Sequence, residues 1–182
     1  MSRHYRIIDQ EKLYFLSFST VNWVDVFIRP EYKDIVVDSL NYCIQHKGLE
    51  VYAWCLMSSH VHMIIGSHGE PLEGIVRDMK KHTAKTILKA ITDNPQESRK
   101  EWLLWMFERA GRNNPNNQQY QFWQQHNHPI ELNSNFLLGQ KLDYIHNNPV
   151  EAGFVREPQD YLYSSAIDYT GSKGLVKVKL IE

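Results

Sequence analysis

VYAWCLMSSHVHMII, residues 51–65, holds two apolar runs separated by one pair of serines. Val51 to Met57 and His60 to Ile65 are each of strand length and rich in β-branched or aromatic residues. With only Ser58-Ser59 between them, they are expected to fold back as an antiparallel hairpin. The second run carries His60 and His62 at spacing i, i+2. Side chains alternate along a strand, so both imidazoles project to one face while Val61, Met63 and Ile65 turn to a core. Two imidazoles side by side can chelate one divalent cation; an isolated pair can equally be two half-exposed strand histidines. Polar rings in so apolar a strand are costly unless something uses them.

Working outward, Leu13 to Thr20 (LYFLSFST) reads as another strand. From Glu31 to Lys47, Tyr32, Ile35, Val36, Leu40 and Cys43 recur at helical spacing, and Gly48 supplies the stop. Leu72 to Ala90 is the clearest helix: Leu72, Ile75, Val76, Met79, Thr83, Ile87 and Ala90 share one arc. Arg77, Lys80, Lys81, Lys85 and Lys89 fall on the opposite arc, either as a solvated face or as a set of phosphate contacts. Strand–helix–strand–strand–helix is most of a split βαβ plan. The expected fold is therefore α+β and ferredoxin-like: an antiparallel sheet with helices on one face and the histidine pair on a central strand. Residues 93–119 are biased toward Asn, Gln, Pro and Gly around a short amphipathic piece from Trp102 to Phe107, which predicts an insertion or loop. Tyr120 to Gln125 predicts a further strand. Asn135 to Asn147 predicts a C-terminal helix stopped at Pro149, and the tail beyond Gly153 an extended wrap.

At 182 residues the chain is expected to form one domain over residues 1–182, typical domains running to roughly 100–200 residues. Twenty basic against twenty-one acidic residues give a net charge of −1, which argues against a strongly basic nucleic-acid coat and confines any DNA contact to a local patch. No apolar run reaches the roughly 18 residues of a membrane span, and the start Met1-Ser2-Arg3-His4-Tyr5-Arg6 lacks the apolar segment of a signal peptide. Cys43 and Cys55 sit in apolar surroundings without metal-site spacing, as reduced thiols of a cytoplasmic protein do.

A second chemical element lies in Asp143-Tyr144-Ile145-His146-Asn147-Asn148-Pro149-Val150. Spacing i, i+4 brings Tyr144 and Asn148 near one face of a helix end, although Pro149 makes helical geometry at Asn148 doubtful. An amide oxygen can complete a metal site beside two imidazoles, with a phenol oxygen nearby as nucleophile. Alone, Tyr144 reads as a packing residue; together with the histidine pair it reads as chemistry. His126-Asn127-His128-Pro129 is a second H-x-H, but its proline and polar neighbours suggest a loop, with at most a supporting role for His128. Trp123 is either core or a stacking surface for unpaired bases.

The blocks WCLMSSHVHMII (Trp54 to Ile65), MKKHTAKTI (Met79 to Ile87), FWQ (Phe122 to Gln124) and YIHNNPVEAGFV (Tyr144 to Val155), followed by Tyr161 and Ser164-Ser165, resemble the single-tyrosine HuH transposases. Within them the resemblance is to the REP-associated tyrosine transposases, and the blocks spread over most of the chain in the family's order. It implies that His60 and His62 are metal ligands, Asn148 the third ligand, and Tyr144, on the C-terminal helix, the nucleophile. It also implies a bacterial cytosolic setting and hairpin- or repeat-bearing single-stranded DNA as substrate; the phosphoryl role points to Mg²⁺ or Mn²⁺ as cofactor, although histidine ligands alone would also suit Zn²⁺. Cutting would pass through a covalent 5′-phosphotyrosine. A homodimer is admitted, since members are known in which the tyrosine works on its own or on a partner subunit's histidines. The segment 93–119 is longer than the family's minimal pattern. Two other readings compete: a nucleic-acid-binding module that has lost cutting, and a metal-dependent phosphoesterase using water, with Tyr144 structural.

Overall fold

The computed structural model describes residues 7, 9–114, 119–125 and 127–181. Its regular elements are β1 (Tyr14–Ser19), α1 (Pro30–Lys47), β2 (Leu49–Leu56), β3 (His60–Ser67), α2 (Leu72–Asp93), α3 (Lys100–Arg112), β4 (Ile130–Glu131) and α4 (Asn135–Glu151). The strands form one antiparallel sheet in the order β2-β3-β1-β4, so the expected α+β architecture is the one observed. The 51–65 hairpin closes as expected: Leu56 pairs with Val61, and the Met57 N–H donates to the His60 carbonyl at 2.8 Å across Ser58-Ser59.

Pro30 opens α1, where its missing N–H costs nothing. Gly48 closes it at φ 75°, and a Cβ there would meet the Gly69 backbone at 2.7 Å. Both conditions demand glycine. Phe15 and Phe18 lie three apart on β1 and so point to opposite faces of the sheet. Phe18 meets Lys80 of α2 and the Trp123 ring; α2, with α1 packed beside it, covers that face. The two helices of the split βαβ unit thus share one side. Phe15 stacks on His62 and meets Tyr144 edge-on, so α4 lies against the other side.

Three local expectations are corrected. The 93–119 segment is largely helical: Leu103, Met106 and Phe107 give α3 a buried face that outweighs the polar composition around it. Residues 115–118 lie outside the described residues. Tyr120 to Gln125 forms no strand but a single bridge, Trp123 to Thr20. The chain still follows β1, through Val21 N–H to Phe122 O, Gln124 N–H to Ser19 O and Leu132 N–H to Leu13 O, and regular pairing returns only at β4. Finally, α4 continues through Pro149 to Glu151. Pro149 is buried in the last turn, where burial outweighs one lost N–H, and Ala152 N–H still reaches the Asn148 carbonyl at 3.0 Å.

The tail wraps the free edge of β2. Leu56 N–H donates to Tyr163 O, Ser165 N–H to Trp54 O, and Lys179 N–H to Val51 O. Tyr161 and Tyr169 donate their hydroxyls to Leu56 O and Tyr52 O, each at 2.9 Å. An edge that would otherwise offer unpaired backbone groups is covered. Both cysteines are buried and free, and no helix among the described residues is long and apolar enough to cross a membrane.

Candidate active site

β3 is an interior strand, and its His60 and His62 project to the α4 side as period-two geometry requires. Their ring centroids are 4.7 Å apart. Helical continuity through Asn148 stacks Tyr144 and Asn148 on one face of α4, and both reach the pair. The Tyr144 hydroxyl lies 3.4 Å from His62 Nε2, and the Asn148 side chain is near enough to His60 to oppose the lowering of its pKa. All four residues singled out from sequence therefore meet within one chain, Tyr144 against its own subunit's histidine. Tyr144 is 40% exposed.

Burial sets the electrostatics. His62, 5% exposed, has its pKa driven down to about 3, first by desolvation and then by the charges of His60 and Lys141. His60 is lowered too, by desolvation, which the Asn148 side chain opposes. Both imidazoles are thus neutral at ordinary pH, the state in which a ring nitrogen keeps a lone pair for a metal. His60 Nδ1 lies 3.2 Å from the Ser59 hydroxyl. His62 Nδ1 is buried with no protein partner, so the ring is held by stacking on Phe15 and by the Tyr144 contact at Nε2. Two neutral imidazoles and one amide oxygen fit a divalent cation in kind. Among the described residues no three His, Cys, Asp or Glu side chains converge.

Sequence reasoning missed two neighbours. The Lys141 ammonium sits 4.7 Å from the Phe15 ring centroid and 5.6 Å from that of Tyr144; its spacing of three from Tyr144 on one helix was the available signal. Trp23 meets His60 edge-on at 5.2 Å, a contact made by a turn that no periodicity announces.

The basic arc of α2 is divided. Lys81 and Lys85 are exposed and border a cleft of about 650 Å³ with Tyr120. Arg77 pairs with Asp78, and Lys89 with Asp93. Lys80 departs from the expectation: it turns inward, donating to Gln124 O at 2.8 Å and Asn127 Oδ1 at 2.5 Å, and burial pushes its pKa down to about 8. Trp123 is core, 6% exposed, its indole N–H donating to Thr83 at 3.0 Å, so it offers no stacking face. His128 is exposed at φ 41°. It follows Asn127, whose carbonyl accepts from Ser17, the sheet partner of His62. His126 lies outside the described residues.

The sequence model of the family described as Transposase IS200 like matches residues 17–108, half of the chain, and the chain belongs to that family. The matched span contains His60 and His62 and ends before Tyr144. Among solved structures, a REP-associated tyrosine transposase bound to a REP hairpin is similar over 100% of this chain and 94% of its own, at 16% identity and a TM-score of 0.66. That is a likeness of fold. A chain from Deinococcus radiodurans R1, provisionally described as a transposase, covers 81% of this chain and 97% of its own at 18% identity. Its TM-score is 0.44. No curated protein matches the chain.

Proposed function

We propose that this transposase is a metal-dependent single-stranded DNA endonuclease and strand transferase that cuts near a hairpin or repeat, with Tyr144 as nucleophile. The observation that carries this reading is the 3.4 Å approach of the Tyr144 hydroxyl to His62 inside one chain. The fold likeness to a protein bound to a REP hairpin supports structured single-stranded DNA as the substrate class.

His60, His62 and Asn148 would hold Mg²⁺ or Mn²⁺, which when bound polarises the scissile phosphate as a Lewis acid. The remaining work falls to the chain. α4 delivers the phenol oxygen of Tyr144 to phosphorus; the new P–O bond forms as the P–O3′ bond breaks. The phenol proton is lost and the departing 3′-oxygen gains one, leaving a 5′-phosphotyrosine and a free 3′-hydroxyl. Attack by a 3′-hydroxyl on that link reverses the step and joins strands without a nucleotide cofactor. Lys141, beside both Tyr144 and His62, is placed to neutralise a phosphate oxygen as charge builds up. Exposed Lys81 and Lys85 serve as flanking phosphate contacts, with Arg77 and Lys89 free to join only by leaving their acidic partners.

Incubating the protein with a hairpin-bearing strand and Mn²⁺, then resolving products on a denaturing gel, tests the proposal. The expected product is a covalent protein–DNA adduct, absent in Tyr144→Phe and with EDTA. Cleavage that persists in Tyr144→Phe without any adduct supports hydrolysis by water instead. Binding without cleavage supports a module that has lost its chemistry.

A further inference from the structure

We infer that Trp23 is a stacking platform for an unpaired base beside the scissile phosphate, a role that rests on the strand-transfer reading of the His60/His62/Tyr144 site. Large aromatic side chains are normally drawn into a core, yet Trp23 is 57% exposed. Its neighbours Val21 and Val24 are buried, so the turn is anchored and its indole alone is presented outward. The backbone is unusual. Asn22 and Trp23 both take left-handed conformations, at φ 56° and 54°. Asparagine tolerates that region, but a bulky aromatic residue rarely occupies it, and such strain concentrates where a ligand is held.

The turn is fastened on every side. The Thr20 hydroxyl donates to Val24 O at 2.7 Å and contacts Ser59 O at 3.2 Å. Trp23 N–H donates to Thr20 O, and Val21 N–H to Phe122 O. The Asn22 amide reaches Met106 Sδ at 3.5 Å. A fixed, strained turn therefore sets the indole against His60 at 5.2 Å and 66° between planes. That edge contact leaves at least one indole face open. Among the described residues, Trp23 and Tyr144 are the exposed aromatics whose rings contact the histidine pair. A DNA strand threaded past the histidines meets the phenol of Tyr144 at His62 and the indole of Trp23 at His60. Every base offers a π face, so such a platform accepts single strands of any sequence and excludes duplex, whose bases are already stacked.

The test measures binding alone, in EDTA and in the full chain carrying Tyr144→Phe, so that cutting does not enter. Two probes are used: an oligo(dT) strand and a fully abasic strand of equal phosphate number. Trp23→Ala is expected to weaken oligo(dT) binding by roughly tenfold while leaving the abasic strand unchanged, and Trp23→Phe to keep most of the affinity. Equal binding of oligo(dT) with and without Trp23 overturns the inference. So does equal weakening of both probes, or a wild-type ring that does not favour oligo(dT) over the abasic strand. Failure of the strand-transfer reading would show separately, as the absence of adduct on hairpin DNA with Trp23 and Tyr144 intact.

Discussion

Lys141 shows how one side chain changes the meaning of its neighbours. Its ammonium is held over Phe15 and beside Tyr144, where under the proposed function it would face the scissile phosphate. Replacing it with Met preserves much of the stem that packs on Phe15 and removes the charge. The expected outcome for Lys141→Met is adduct formation slowed by about ten- to a hundredfold, with Lys141→Arg recovering part of the rate. Single-turnover kinetics on hairpin DNA checks this; an unchanged rate would put Lys141 outside the reaction. His60, His62, Tyr144 and Asn148 were legible in the sequence because periods of two and four residues bring them to common faces. Lys141 obeys the same helical spacing, but a single lysine on a helix carries no chemical signal of its own. Trp23 was not legible at all, since its approach to His60 depends on two left-handed residues rather than on any repeat.

At the scale of the element, α4 needs a fixed seat if Tyr144 is to arrive in register. His146 supplies it: its Nε2 lies 2.9 Å from the Ser165 hydroxyl, which also accepts from Trp54 N–H of β2 at 2.9 Å. Burial lowers the His146 pKa to about 4, Asp143 opposing weakly. Between pH 6.5 and about 4 the unfolded chain therefore binds a proton at this site that the folded chain refuses. Stability rises with pH across that window, so the contribution is whole above pH 6.5 and lost as acid brings the pH down to about 4. The neutral-pH advantage is on the order of 3 kcal/mol. Thermal unfolding of metal-free protein should show this acid loss, and His146→Gln should flatten it; an unaltered pH profile would contradict the assignment. The elements were read from sequence unevenly. Long periodic segments, α1, α2 and the 51–65 hairpin, emerged cleanly. Composition hid α3, whose apolar face is only a few residues within a polar stretch, and Pro149 suggested a stop that tertiary burial overrode. The stretch 120–125 has strand-like residues, but its pairing with β1 is too irregular to form one.

Across the whole molecule, the chemistry sits on one side of the sheet and the stabilising charge network on the other. Glu97, 4% exposed, accepts from Arg29 at 3.0 Å, from Arg99 N–H at 3.1 Å and from Tyr32 at 3.3 Å. It ties the start of α1 to the α2–α3 connection. Glu97→Ala leaves two guanidinium groups without their buried partner and is expected to cost about 3 kcal/mol, lowering Tm by roughly 10 °C. Adduct formation well below that Tm should persist. Differential scanning calorimetry alongside the gel assay checks both halves. The balance of charge fits this division: under the proposed function a chain of net charge −1 would rely on a few local cations, Lys141 at the site and Lys81 and Lys85 along the cleft. The most direct measurement of the central claim is peptide mass spectrometry of the protein after reaction with hairpin-bearing single-stranded DNA and Mn²⁺ and nuclease trimming. The account predicts a nucleotide 5′-phosphate on the peptide containing Tyr144 and on no other; cleaved DNA with that peptide unmodified, or with the label on another residue, would contradict it.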